Sequence, residues 1–358
     1  MRSAKPYFKW TIVIPILSWI IYSFHGLTST GFYTAVLAAA LIGSVLAAVH
    51  HAELIAHRVG EPFGTLVLAI AVTVIEVALI ISLMIAGGGK DAGLARDTVF
   101  AAVMIILTAM IGLSVLVGGI KFKEQTFGRQ GVNSSLTVLA SISTLTMILP
   151  NYTVSTPGPA YNNSQLVFVA IVTLVLYGTF IVVQTIRHRD HFLPEEGAQE
   201  DHGKRPSGRD AGISGLFLLI CLGAVVLIAK TLSPDLEKAV DAAGAPKSLV
   251  GIIIALVVLL PEGLAAVNAA KSNNLQKALN LSLGSSLASI GLTIPAVSFV
   301  SILTGLPLSL GIDAKSSVLF FLSLIVINVS LSTGKTTVLQ GVVLLVIFAV
   351  YLLFTIVP

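Results

Sequence analysis

Val257-Val258-Leu259-Leu260-Pro261-Glu262-Gly263-Leu264-Ala265-Ala266 sets one ionisable carboxylate in the middle of a long apolar run. The stretch Ile70-Ala71-Val72-Thr73-Val74-Ile75-Glu76-Val77-Ala78-Leu79-Ile80 does the same with Glu76. A charge near the centre of a bilayer costs roughly 2.5–3.5 kcal/mol on the most forgiving insertion scale, so it is retained for a task and turned toward protein or a water-filled cavity. Two such residues, one in each half of the chain, point to a single shared site with the remaining sequence as its scaffold.

Composition fits a chain folded in lipid. Of 358 residues, 55% are hydrophobic and 11% charged, with a mean hydropathy of +0.96; soluble domains carry about 25% charged residues. The expected fold is an all-α polytopic membrane protein. The one cysteine, Cys221, rules out an intramolecular disulfide and reads as a small core or lipid-facing residue. The net charge of +4 needs no acidic partner, and nothing points to nucleic acid; the partners expected are the bilayer and inorganic cations, with a homo-oligomer left open. The first apolar run, Trp10 to Phe24, lacks a small-residue cleavage site and leads straight into another.

About eleven spans are expected, near 10–25, 31–50, 63–86, 97–119, 134–150, 165–186, 213–232, 247–270, 277–304, 315–333 and 337–357. Placing the N-terminus in the cytoplasm puts fifteen of the 21 basic residues inside and the C-terminus outside. The polar stretch 187–212 carries acids, bases and the histidines His188, His191 and His202, and reads as a mobile cytoplasmic linker. Apart from an N-terminal helix (1–30), five spans precede this linker (31–186) and five follow it (213–358). Five is odd, so the second unit enters the membrane inverted. Glu76 and Glu262 then occupy the second helix of each unit, and a pseudo-two-fold axis in the membrane plane would carry both to the midplane.

Carboxylate oxygens select hard cations, and no Cys or His accompanies either glutamate in its span. Glu76 and Glu262 are therefore the expected cation and proton ligands. Pro261 removes the backbone donor for the Val257 carbonyl, which either becomes a ligand or marks a plain kink. Gly263 follows at the same break. In the next span Asn280, Ser282, Ser285, Ser286, Ser289 and Thr293 supply a polar stripe at three- and four-residue steps. It serves as ion ligands and pathway lining, or, with Gly284, as a close-packing face. The first half offers less: Thr73, one turn before Glu76, and Thr108. Glu53 and His57, near the inner end of the second span, read as a solvated helix end or as a proton entrance, since histidine titrates near cellular pH.

His51-Ala52-Glu53-Leu54-Ile55-Ala56-His57-Arg58-Val59-Gly60-Glu61-Pro62-Phe63-Gly64, running on to Ile75-Glu76-Val77, resembles the cation/proton exchanger branch of the calcium/cation antiporter superfamily. Leu260-Pro261-Glu262-Gly263-Leu264 and Leu283-Gly284-Ser285-Ser286-Leu287-Ala288 carry the same resemblance, which extends from the second helix to the end of the chain. It implies an inverted pair of five-helix repeats, each with a glutamate that binds the transported ion; by position these are Glu76 and Glu262, and the Gly-Ser-Ser of the family matches Gly284, Ser285 and Ser286. Many exchangers have Gly-Asn four and three residues before the glutamate, where this chain has Val72-Thr73 and Val258-Leu259. A hydroxyl-rich motif of the first repeat is also replaced by apolar residues around Val103 and Met104.

The expected activity is secondary transport: export of cytoplasmic Ca2+, with Na+ or K+ as alternatives, in exchange for protons by alternating access at the inner membrane. The transported ions are substrates, and no cofactor is expected. A monovalent cation/proton antiporter is the nearest rival, and an acidic-site cation channel the reading from another class. An enzyme is not expected: no paired-Asp motif, Ser/His pair at membrane depth or zinc motif occurs in the spans.

Overall fold

The computed structural model describes residues 7–25, 31–60, 63–87, 92–193 and 206–357. The early basic residues Arg2 and Lys5, and the linker residues 194–205 with His202, lie outside the described residues. Eleven apolar helices carry the chain: α1 Tyr7–Ser23, α2 Gly31–Val59, α3 Phe63–Gly87, α4 Leu94–Phe122, α5 Arg129–Tyr152, α6 Asn163–Arg187, α7 Gly208–Ala242, α8 Ser248–Lys271, α9 Leu275–Thr304, α10 Ala314–Leu331 and α11 Val338–Ile356. Ten of them, all but α1, are long and apolar enough to cross a bilayer. Hydropathy located every one of these helices, while local caps set where they end. Ser207 and Asp210 form a reciprocal capping box that starts α7 inside the expected linker. The helix then runs 35 residues, through Pro234, past the apolar segment.

The described helices fall into two compact units, Met1–Ala86 with His202–Gly244 and Gly87–Asp201 with Ala245–Pro358. In the first unit α1 is fastened to α2 and α7. Ser44 Oγ donates to Ser18 Oγ (2.9 Å), and the Trp19 indole N–H donates to the Ile220 carbonyl (3.1 Å). Gly223 permits that approach, since a Cβ there would lie 2.9 Å from the Trp19 ring. Pro15 has no N–H for the Thr11 carbonyl, and the His51 imidazole of α2 lies with Nε2 3.2 Å from that oxygen, its ring stacked on Phe217 of α7. Leu37, Ala40, Ala224, Ile228 and Leu232 form the apolar core between α2 and α7.

In the second unit α4 is the central helix and the most buried span of the chain. Its small face lies against α11: a Cβ on Gly341 would sit 2.5 Å from the Leu116 nitrogen and 2.9 Å from the Gly112 oxygen, so the two backbones cross in direct contact. α9 packs on α6 where Gly291 receives the Tyr177 ring. Loops of this unit gather at two ends. At one, Lys121 Nζ donates to the Lys271 carbonyl, Gln125 Nε2 to the Ala270 carbonyl, and Gln125–Thr126 pairs antiparallel with Lys335–Thr336. At the other, Ser309, Gly311 and Ile312 donate backbone bonds to Ala92, Pro159 and Met147. An even number of helices separates each tied pair of loops in sequence, as successive crossings require. The first end carries Lys121, Lys123, Arg129, Arg187, Arg189, Lys271, Lys277 and Lys335, eight of the eleven described basic residues of the unit.

The linker begins as packed structure, where the sequence reads as mobile throughout. Arg189–His191 form a 3-10 turn and Phe192 is buried edge-on against Phe180. Asn280 Nδ2 donates to the Phe192 carbonyl.

Among the described residues three helices contain π-turns: Ile105–Met110 in α4, Thr144–Ile148 in α5 and Val183–Arg187 at the end of α6. A π-turn pairs each N–H five residues back, so one carbonyl is passed over when the pairing changes. In α5 the last such bond is Leu149 N–H to Thr144 O, which passes over Leu145. The Tyr161 hydroxyl donates to that Leu145 carbonyl at 2.6 Å. Tyr161→Phe is expected to lower stability by about 1–3 kcal/mol, the usual cost of an unsatisfied buried acceptor, read as a lower melting temperature in detergent. Burial pushes the Tyr161 phenol up to about 12. A tyrosine in the unfolded chain ionises near about 10, so unfolding releases a proton above that pH. The Tyr161 contribution is therefore whole below about pH 10 and falls away toward about pH 12, a decline absent from Tyr161→Phe.

Candidate functional site: a buried carboxylate in the second unit

α8 continues through Pro261 as a helix and carries Glu262 at 2% exposure. Pro261 leaves the Val257 carbonyl without its usual helical donor. From α9 the Ser285 hydroxyl donates to Glu262 Oε2 at 2.6 Å. On the other side, a Cβ on Gly263 would lie 3.4 Å from Met110 Cγ, so the end of the α4 π-turn packs beside the residue that follows Glu262. The site is therefore built by α4, α8 and α9, all in one unit. A carboxylate in this setting is stable either protonated or paired with a cation, because an isolated charge there is too poorly solvated.

The expected site residues divide by what their side chains do. Ser285 bonds Glu262, while Ser286 is fully buried with its hydroxyl unbonded among the described residues. Ser282 bonds the Ala278 carbonyl of its own helix, and Ser289 is buried. Gly284 meets nothing within 4 Å of an added Cβ, so it is not a close-packing position. Asn280 accepts from Gln276 Nε2 (2.8 Å) and holds Phe192, which places it in the linker latch. Thr108 Oγ1 donates to the Met104 carbonyl within the π-turn region of α4. In the first unit Glu76 is 4% exposed on α3, and Thr73 one turn earlier bonds the Ala69 carbonyl of its own helix at 2.8 Å. Glu53 is half-buried and His57 exposed near the end of α2. No group of three His, Cys, Asp or Glu residues arranged to hold a metal occurs among the described residues.

Met110 and the α4 π-turn escape sequence reasoning, because they read as an ordinary apolar helix. Met104, on the same helix, takes a weak contact from Ser323 Oγ to its sulfur at 3.8 Å. Beside Gly263, α4 presents the Met110 thioether, and Ser114, one turn further along α4, is buried with its hydroxyl unbonded among the described residues. Ser285→Ala removes a hydrogen bond to a charged group, worth about 1.5–3 kcal/mol. Half-saturation for the transported cation is expected to rise by about 10-fold or more, with Ser285→Thr largely restoring it.

A buried glutamate held by a serine on the next helix, among ten described helices long and apolar enough to cross a bilayer, fits an ion-transport protein, and the chain belongs to the sodium/calcium exchanger protein family, whose profile matches residues 29–186 and 213–357. It is a multi-pass membrane protein of a cation-exchanger family. Among its relatives, it is 44% identical over 353 residues to y4hA of Sinorhizobium fredii, whose name proposes an ionic transporter, covering 98% of this chain and 96% of that one. It is 34% identical over 352 residues to the sodium-potassium/proton antiporter ChaA of Escherichia coli K12, covering 96% and 95% of the two chains. The fold is also that of native YfkE, with a TM-score of 0.73 at 18% identity over 98% of this chain and 100% of that one. The resemblance to cation/proton exchangers drawn from the glutamate and serine motifs is borne out.

Proposed function

We propose that the protein exchanges a cytoplasmic monovalent cation, Na+ or K+, for protons, with Glu262 carrying either the cation or the proton. The observation that carries this reading is the Ser285 Oγ–Glu262 Oε2 contact of 2.6 Å at a carboxylate 2% exposed. Proton and cation exclude each other there, and alternating access converts that competition into exchange. Ca2+ takes roughly 6–8 oxygen ligands, a larger set than one carboxylate and one hydroxyl supply. The relative at 34% identity bears the name of a sodium-potassium/proton antiporter. Glu76 serves as the second titrating carboxylate, one per five-helix repeat (31–186 and 213–358), as the sequence arithmetic requires. A pair of carboxylates also matches the charge of Ca2+, so Ca2+/proton exchange stands as the second reading.

The basic end of the second unit faces the cytoplasm under the positive-inside rule. That orientation puts the C-terminus on the outer face of the inner membrane. The test is dissipation of a pH gradient in everted vesicles with an acid interior, adding Na+, K+ or Ca2+ in turn at neutral and alkaline pH. Response to Na+ or K+, lost in Glu76→Gln, supports the leading reading; response to Ca2+ alone favours the second. No response to any of the three ions overturns both.

A further inference from the structure

Two unbonded side-chain oxygens of the second unit stand on one seam with Glu262. The contacts between α4 and α8 keep a constant offset: Gly251 lies against Asp97 and Thr98, Gly263 against Met110, and Gly118 against the Gln125 amide, whose Nε2 donates to the Ala270 carbonyl at 2.9 Å. The two helices therefore run parallel and in register. Met110, Ser114 and Gly118 follow at four-residue steps, which put them on one face of α4. Since the two outer members of this row face α8, Ser114 faces it between them, opposite Ala266 and Val267 and one turn beyond Glu262. Ser114 is 1% exposed, with its hydroxyl unbonded among the described residues. Gln125 is 2% exposed, and its Oε1, which a Cβ on Gly118 would overlap, is likewise unbonded. Such buried groups are rare, because each costs about 1–3 kcal/mol, and they are retained where something else completes them.

Both oxygens lie on the same side of Glu262. Toward Leu94, α4 offers the fully buried Val103, Ile106 and Leu107, and its hydroxyls there, Thr98 and Thr108, are given to the Leu94 and Met104 carbonyls. Toward Phe122 come Ser114 and then Gln125, at the end of the unit that carries eight of its eleven described basic residues. That end faces the cytoplasm in the orientation proposed above. We infer that Ser114 Oγ is an oxygen stop for the transported cation on its cytoplasmic approach to Glu262, with the Gln125 amide oxygen at the mouth of the same seam. The inference rests on the reading that Glu262 binds the cation. Neutral oxygens suit such a step, since they replace part of the hydration shell of Na+ or K+ without the charge that would hold the ion there. One helical turn, about 5.4 Å, separates the level of Gly118 and the Gln125 oxygen from that of Ser114, and Ser114 from that of Glu262.

Ser114→Ala removes an oxygen that bonds nothing among the described residues, so the melting temperature in detergent should stay at or above that of the parent chain. In everted vesicles, whose outer surface is the cytoplasmic face, half-saturation of proton movement by Na+ or K+ is expected to rise about fivefold, the scale of one neutral oxygen contact. A purely structural serine would move stability and leave half-saturation alone. Unchanged half-saturation in the alanine variant overturns the inference. A second measurement reads access directly: Ser114→Cys in a Cys221→Ala background, treated from the cytoplasmic face with a small cationic methanethiosulfonate and read by mass. Labelling that NaCl or KCl slows supports the route. No labelling, or labelling indifferent to these salts, overturns it. In each of these cases the antiport reading stands as long as the parent chain moves protons in response to the cation and Glu262→Gln does not. A parent chain that moves no protons with Na+, K+ or Ca2+ removes that reading, and this inference with it.

Discussion

Glu262→Gln is expected to abolish cation-driven proton movement in everted vesicles, with a loss of about 100-fold or more. Glutamine keeps the size of the side chain and an acceptor for the Ser285 hydroxyl, so α8 and α9 keep their packing. On the proposed reading, what disappears is the charge that holds the cation and the group that carries the proton. Removing one member of a buried charge pair typically costs about 3–5 kcal/mol, and each 1.4 kcal/mol is about tenfold in affinity. If the same carboxylate serves both substrates, as proposed, raising the cation concentration is not expected to rescue the variant. Full rescue at high Na+ or K+ would mean that Glu262 contributes affinity alone and that the proton travels elsewhere.

Gly341→Val is expected to have the largest effect on folding. The new Cβ would fall 2.5 Å from the Leu116 nitrogen and 2.8 Å from Leu116 Cα. These are backbone atoms of α4, which no side-chain rearrangement can move aside. The helices must separate, at a cost near or above the upper end of ordinary overpacking, about 3 kcal/mol. The consequence reaches the site, because the opposite side of α4 carries Met110 against Gly263. Thermal unfolding in detergent should drop sharply, and the residual folded protein should bind cation more weakly. Gly284→Ala provides the contrast: an added Cβ there meets nothing within 4 Å, so stability should stay close to that of the parent chain.

The spans and the glutamate were legible in the sequence for one physical reason, the expense of polar groups in lipid. Apolar runs of membrane length marked α2 to α11, and Glu76 and Glu262 stood out as ionisable groups inside them. Ser285 was legible by its three- and four-residue spacing on the following helix. Helix ends were not: α7 continues to Ala242 through Pro234 and charged residues, since backbone pairing and caps continue a helix where hydropathy has ended. Side-chain partners were also hidden. Asn280 and Ser282 looked equivalent to Ser285 on the stripe, but one anchors the linker and the other bonds its own backbone. The π-turns left no trace in composition, because an inserted residue among Ile, Leu and Met preserves the apolar pattern. Their consequence becomes visible only when each carbonyl is followed to its donor, as with Leu145 and Tyr161.

Competition between cation and proton at Glu262 is tested most directly by proton release. The purified full chain is placed in weakly buffered detergent solution, and Na+, K+ or Ca2+ is added while the pH is recorded across the range in which the empty site is protonated. Release of about one proton for each monovalent cation bound is expected, with none from Glu262→Gln. Saturable cation binding to the wild-type chain with no proton release at any pH would contradict a shared site.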